Sequence, residues 1–177
     1  MNFKFNRNNE LSMKNHFFRT SAVNFNLIPG APIAYWLTDK TLSLFSSFGS
    51  LSKSADLFKG LSTGENSTFV RYWHEVSSSF IYYDCSSNIA SRSDARKWYP
   101  CNKGGAFRKW YGNQDAIINW ERDGRDLRAL APKSVIRSPQ NYFRPCLSWS
   151  KVTSGSFSMR YFGPGFVPLD STSALVS

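Results

Sequence analysis

The chain has 177 residues, of which 41% are hydrophobic and 16% aromatic, and it carries a net charge of +10. That aromatic content excludes a disordered chain, which would be poor in such residues, and the length suits one domain with or without a tail. The charge favours a polyanionic partner, most commonly nucleic acid, and it is uneven: residues 1–90 hold 8 Lys/Arg against 6 acids, whereas residues 91–177 hold 14 against 6.

In chain order, residues 1–26 are polar, Asn-rich and broken by single Phe residues, and are expected to form a weakly ordered lead-in. Residues 27–50 read as a linker and helix. Ile28-Pro29-Gly30-Ala31-Pro32 is a rigid turn. The spacing of Ala34, Leu37, Thr41, Leu44 and Phe45 predicts a helix from Ile33 to about Phe48. A Ser/Gly-rich boundary over 46–54 leads into the main region, 51–177.

Leu57 and Phe58 predict a short strand ending at Lys59-Gly60, and Gly60 and Gly64 bracket a turn. Phe69 to Val76 suits a strand or a helix start. Residues 77–96 are Ser-rich and loop-like, interrupted by Phe80-Ile81-Tyr82-Tyr83. Ala116 to Trp120 predicts a strand, followed by the turn-prone Arg122-Asp123-Gly124. Tyr142 to Tyr161 is strand-rich and is broken by Gly163-Pro164-Gly165. These elements predict a mixed α/β (α+β) fold, a twisted sheet with a few helices.

Between Arg92 and Arg122 the basic residues Arg92, Arg96, Lys97, Lys103, Arg108, Lys109 and Arg122 alternate with Trp98, Tyr99, Phe107, Trp110, Tyr111 and Trp120. Lys and Arg neutralise phosphates with release of counterions. Aromatic rings stack on exposed bases, and Gly104-Gly105 allows close backbone approach to a phosphate. The alternative is that the aromatics are core and the charges their solvated backs; Trp98, Trp110 and Trp120 are assigned to the core on this reading. Backbone contacts are expected from Arg71, Lys103, Arg108 and Lys109, with Lys97 beside them. Base-edge contacts are expected from Arg96, Asn102 and Gln114. The loop Lys59-Gly60-Leu61-Ser62-Thr63-Gly64-Glu65-Asn66 could hold a phosphate through its N–H groups, or simply join two strands.

No catalytic, cofactor-binding or metal site is expected in this chain. There is no Gly-x-Ser-x-Gly elbow, no Gly-Lys-Ser/Thr phosphate loop and no Asn-Pro-Pro-Tyr run. A Cys101–His74 nucleophile pair is conceivable but has no orienting residue. Cys85, Cys101 and Cys146 form no CxxC pair, which disfavours zinc and a disulfide framework and fits a reducing cytoplasm. The N-terminus lacks an apolar signal segment, and no membrane span is expected.

Several runs, in order, resemble the BREX (bacteriophage exclusion) adenine-specific DNA methyltransferases, the PglX family. They are Ile28 to Trp36, Lys59 to Asn66, Arg71 to Val76, Lys97 to Gly105, Phe107 to Asn113, Asn119-Trp120-Glu121 with Asp123-Gly124, Tyr142-Phe143, and Trp149 to Tyr161. The resemblance covers about 24–170, with departures at Cys101, where an aromatic is expected, and Glu65, where Asp is expected. It implies a fragment of a larger enzyme: a target-recognition region, truncated at its C-terminus, whose catalytic domain and S-adenosylmethionine site lie upstream. Double-stranded DNA is the implied partner, with other defence-system subunits or the missing catalytic domain. The resemblance assigns no role to any residue here. Its rival is a non-catalytic remnant or protein-interaction module of the defence complex.

Overall fold

The computed structural model describes residues 18–177, so most of the expected lead-in, residues 1–17, lies outside the described residues. The chain divides into two compact units, Met1–Lys53 and Ser54–Ser177. Among the described residues no helix is long and apolar enough to cross a membrane.

The first unit holds a 3-10 helix, Ala22–Leu27, one α-helix, α1 (Asp39–Ser47), and a 3-10 turn, Leu51–Lys53. The predicted helix begins six residues late because Thr38 caps it: the Thr38 hydroxyl accepts from the Thr41 N–H at 3.2 Å. Ile28, Ala34 and Leu42 form its small core, with Leu37 packed against them. Leu44, Phe45 and Phe48 remain exposed.

The second unit contains β1 (Asp56–Lys59), α2 (Asn66–Phe69), β2 (Val70–Tyr72), α3 (Asn88–Ser93), β3 (Trp98–Asn102) and β4 (Ala116–Asn119). It continues with α4 (Glu121–Ala129), β5 (Cys146–Ser150), β6 (Met159–Phe162), β7 (Val167–Pro168) and β8 (Thr172–Val176). The fold is α+β, but with two four-stranded sheets rather than one. The first has the order β1-β8-β5-β6 and the second β2-β4-β3-β7. All pairings are antiparallel except β3 with β7.

Local chemistry accounts for the differences from expectation. α3 interrupts the stretch read as loop because Ser87 caps it, its hydroxyl accepting from the Ala90 N–H at 3.1 Å. Phe69 to Val76 divides into the end of α2, then β2, then a 3-10 turn at Trp73–Glu75. β3 forms despite Pro100. This proline lies between the Ile81–Trp98 bridge and the start of β7 pairing at Cys101, so its missing N–H breaks no ladder bond. After β4 the chain passes through left-handed conformations at Arg122 (φ 51°), Asp123 (φ 59°) and Gly124 (φ 70°) before α4 becomes regular. Gly124 is required there, because a Cβ would lie 2.7 Å from the Trp120 ring.

The main core gathers Leu61, Phe69, Tyr99, Cys101, Ile118, Trp120, Leu127, Tyr142, Phe143 and Val167. A second cluster, Phe58, Cys146, Phe162, Ala174 and Val176, lies on the β1-β8-β5-β6 sheet. The 60–66 loop is spent on packing: Leu61 donates to the Pro168 carbonyl at 2.9 Å, and a Cβ at Gly60 would collide with that carbonyl. Gly64, at φ 70°, sits against the Lys133 backbone.

Candidate nucleic-acid interface

β3 and β4 are joined by the basic loop 103–115. Its base is tied to the other sheet's neighbourhood at three points. The Gly104 N–H donates to Ser171 Oγ at 3.1 Å and the Gly105 N–H to Ser150 Oγ at 3.4 Å, while the Trp110 carbonyl accepts from the Tyr161 N–H at 3.0 Å. Gly104 is needed for this approach, since a Cβ would lie 2.9 Å from the Ser171 carbonyl oxygen. Gly112 (φ 122°) and Asn113 (φ 57°) turn the chain back, and Asn113 Nδ2 donates to the Ala106 carbonyl at 3.0 Å. The anchored loop presents Phe107, Trp110 and Tyr111 to solvent, Trp110 and Tyr111 being 70% and 69% exposed.

Charge pairing distinguishes the loop cations from several others of the second unit. Arg92 and Arg128 both reach the buried Asp123 carboxylate, at 3.1 and 3.2 Å, and Arg96 reaches Asp94 at 2.6 Å. Arg122, Arg125 and Lys133 also have acids, Glu121, Asp126 and Glu65. Among the described residues, Lys103, Arg108, Lys109 and Lys151 form no ion pair. Lys109 Nζ instead stands 5.2 Å from the centre of the Trp110 ring. Four acids of the basic half, Asp94, Glu121, Asp123 and Asp126, are thus engaged away from the loop, while Asp115 within it forms no ion pair among the described residues, so the three loop cations outnumber the one loop acid.

Two adjoining depressions run along this loop and the β2 edge. One, of about 340 Å³, is lined by Asn66, Ser67, Arg71, Tyr72, Glu75 and Lys103, among others. The next, of about 290 Å³, is lined by Tyr72, Lys103, Gly104, Gly105, Arg108 and Asp115, among others. Glu75 and Asp115 are the carboxylates in these walls, and neither forms an ion pair among the described residues. Glu75 is held by the Tyr72 N–H, which donates to its carboxylate at 2.7 Å.

The fold brings Arg71, Lys103 and Arg108 onto this surface, with Lys109 beside Arg108 in the loop. Arg71 also donates to the carbonyls of Val70, at 2.8 Å, and Ser67. Arg96 and Lys97 lie at the far end of β3, about 20 Å of extended chain from Lys103. Arg96 is bound to Asp94 there, which raises its pKa, and it stacks 3.6 Å over the Tyr82 ring. Lys97 stands 5.8 Å over Trp98. Gln114 is half-buried in the loop and lines neither depression.

Asn102 departs from its expected place at a base edge. It is fully buried at the end of β3, beside the Cys146 thiol, because both faces of the strand are covered there, the adjacent Cys101 being fully buried as well. Of the tryptophans assigned to the core, Trp120 is fully buried and Trp98 half-buried, but Trp110 is exposed. Residues beyond the basic aromatic segment complete the surface: Ser150, Lys151, Tyr161 and Ser171 meet the loop base or its flank. Ser150, Lys151 and Tyr161 had a sequence signal in the strand-rich stretch to Tyr161 and in the run Trp149 to Tyr161; Ser171 had none. Cys101 has no nucleophilic role: it is fully buried, and burial pushes its thiol up to about 12.

No family model matches the chain. Among curated proteins, an adenine-specific methyltransferase PglX of Lacticaseibacillus casei (strain Zhang) is 41% identical over 162 residues, covering 86% of this chain and 13% of that protein. An adenine-specific methyltransferase BrxX of Escherichia coli O9:H4 (strain HS) is 40% identical over 162 residues, covering 91% of this chain and 12% of that protein. The chain thus spans about one-eighth of the length of the curated relatives it matches.

Proposed function

Starting from a chain similar in sequence to one segment of the PglX and BrxX adenine-specific methyltransferases, we propose that it is a DNA-binding target-recognition part of a site-specific adenine-N6 methyltransferase of a BREX-type phage-defence system. The observation that carries this reading is the loop 103–115. Among the described residues its cations Lys103, Arg108 and Lys109 have no acid partners, and its three aromatic rings face solvent. Unneutralised cations release counterions from a phosphate backbone on binding, and exposed rings can stack on or wedge between bases. Arg71 and Arg108 extend the positive surface along the adjoining depressions.

S-adenosylmethionine and the residues of methyl transfer belong, on this reading, to other parts of the full-length protein. The purified chain is expected to bind duplex DNA without methylating it. The decisive measurement is duplex affinity across a salt series. Contacts from Arg71, Lys103, Arg108 and Lys109 give a slope of log K against log salt of about three to four units, at about 0.9 per phosphate. Failure to bind duplex at low salt refutes the reading.

A second reading, a protein-interaction module of the defence complex, draws on the first unit alone. There Ile33, Trp36 and Phe48 are 71%, 56% and 70% exposed, large apolar side chains of the kind that interfaces cover. It is favoured if Trp36→Ala and Phe48→Ala abolish association with a defence-complex subunit and leave duplex binding intact.

A further inference from the structure

Arg160, on β6, is fully buried, yet no carboxylate reaches it among the described residues. Its guanidinium donates to Ser158 Oγ and to Ser150 Oγ, each at 3.1 Å, and its Nε has no partner. A guanidinium stays charged in a protein, and a buried charge normally requires a counter-charge. Here burial pushes its pKa down with no acid to hold it up.

The charge lies directly beneath the base of the loop. Ser150 Oγ receives hydrogen bonds from Arg160 and, at 3.4 Å, from the Gly105 N–H, so its own proton is left to point elsewhere. Ser171 Oγ receives the Gly104 N–H at 3.1 Å and is likewise left to donate. Both serines, both glycines and Lys151 line a cavity of about 400 Å³. Val152 and Asp170 complete the lining among the described residues, and the exposed Asp170 is the one carboxylate among them. Gly104 and Gly105 also line the depression that contains Lys103 and Arg108, so the two spaces meet across the loop base.

We propose that this cavity docks one backbone phosphate of bound DNA. The Ser150 and Ser171 hydroxyls and the Lys151 ammonium contact its oxygens, and Arg160 supplies the buried positive charge behind Ser150. Asp170 opposes the ligand from the wall and limits how tightly it is held. The assignment rests on the DNA reading above and deepens it: besides the open cations of the loop, the surface contains one built phosphate site that fixes register.

The test uses the 177-residue chain. In duplex-binding titrations, Ser150→Ala with Ser171→Ala weakens affinity about tenfold, the size expected for lost hydrogen bonds to a charged group. Lys151→Ala lowers the salt slope by about 0.9. Asp170→Asn tightens binding. In a second arm, inorganic phosphate replaces chloride at constant ionic strength while the Gly104 and Gly105 amide resonances are followed. The expected result is a saturable shift that the serine double variant abolishes and duplex DNA displaces.

Unchanged duplex affinity in the serine variant, together with weakened binding on neutralising Lys103, Arg108 and Lys109, overturns the site and leaves the DNA reading standing. Phosphate binding that duplex DNA does not displace shows an anion site of another kind and overturns the backbone assignment. Absence of duplex binding by the wild-type chain removes the DNA reading and this assignment with it.

Discussion

Two halves of one basic aromatic segment meet opposite fates. In the half that runs from β4 into α4, Trp120 is buried and packs edge-on to Tyr142 with ring centroids 5.3 Å apart. The cations around it, Arg92 and Arg128, share the Asp123 carboxylate. In the loop 103–115, Trp110 and Tyr111 face solvent, and Lys103, Arg108 and Lys109 find no acid among the described residues. Residue types are similar in both halves. What separates them is whether an acid lies within reach and whether the backbone continues in a strand or leaves it. Within this segment an Arg or Lys is thus tied into the fold or left to the surface charge according to whether a carboxylate reaches it.

The sharpest way to break this comparison is to truncate one tryptophan from each half. Trp120→Ala leaves a large void in the main core and is expected to cost about 3–5 kcal/mol of stability. Trp110→Ala is expected to change stability by no more than about 0.5 kcal/mol, as for surface positions, while weakening duplex binding. Urea unfolding midpoints for the two variants decide the matter. A Trp110→Ala chain as unstable as Trp120→Ala would put the loop in the core and dissolve the contrast.

Next in size is charge removal. Replacing Lys103, Arg108 and Lys109 together by Ala is expected to lower the salt slope of duplex binding by nearly three units, at about 0.9 per lost phosphate contact. The unfolding midpoint should hardly move, since among the described residues none of these side chains is paired with an acid and none is buried. A slope that stays at the wild-type value while affinity falls would mean that the loop acts through its rings and not its charges.

Much of this was legible in the sequence, and the failures have identifiable causes. The uneven charge and the alternation of basic with aromatic residues pointed to the segment that holds the exposed loop 103–115. The runs Leu57-Phe58 and Ala116 to Asn119 are strands as expected, because short apolar runs flanked by turn residues leave little choice. β3 was hidden by Pro100, which argues against a strand interior until the gap in its ladder is seen. β8 was hidden by its small residues: Thr172, Ala174 and Val176 alternate inward, but Ser171 and Ser173 around them read as loop. Trp110 could not be told from Trp120, since both follow basic residues or an apolar run and only the fold decides which is enclosed. Arg160 and Ser171 were invisible as site residues because they approach the loop base from far along the chain, Ser171 by accepting from the Gly104 N–H and Arg160 through Ser150.

Alkaline pH probes the buried side of the comparison. Burial pushes the thiols of Cys101 and Cys146 up from the ordinary 9.0 to about 12 and about 11, and raises Cys85 in the same direction. A raised acid is held neutral by the fold, so its stabilisation is complete below pH 9.0 and declines as pH rises toward the folded value. For Cys101 the decline is roughly 1.4 kcal/mol per pH unit at its steepest. Urea midpoints should therefore drop from pH 9 to 11, and Cys101→Ala should flatten that drop. Native thiols should also resist a thiol-specific reagent at neutral pH, because all three are buried. Rapid labelling of Cys101 in the folded chain would contradict its enclosure.

The smallest expected effect is the most discriminating for the pairing argument. Arg96 and Lys103 sit at opposite ends of β3, but Arg96 is bound by the Asp94 carboxylate, whose own pKa that bond lowers. Arg96→Ala should leave the salt slope of duplex binding unchanged, and Lys103→Ala should lower it by about 0.9. The ion pair is partly exposed, so its loss should cost well under about 1 kcal/mol of stability. Its contribution is present at neutral pH and disappears as the solution is acidified below the ordinary range for an aspartate. The counterpart variant is Asp94→Asn, which keeps Arg96 against the Tyr82 ring but removes its acid. If an acid partner is what silences a cation toward DNA, Asp94→Asn should raise the slope toward that of an additional phosphate contact. If both variants leave the slope unchanged, distance from the loop, rather than pairing, is what keeps Arg96 out of the interface.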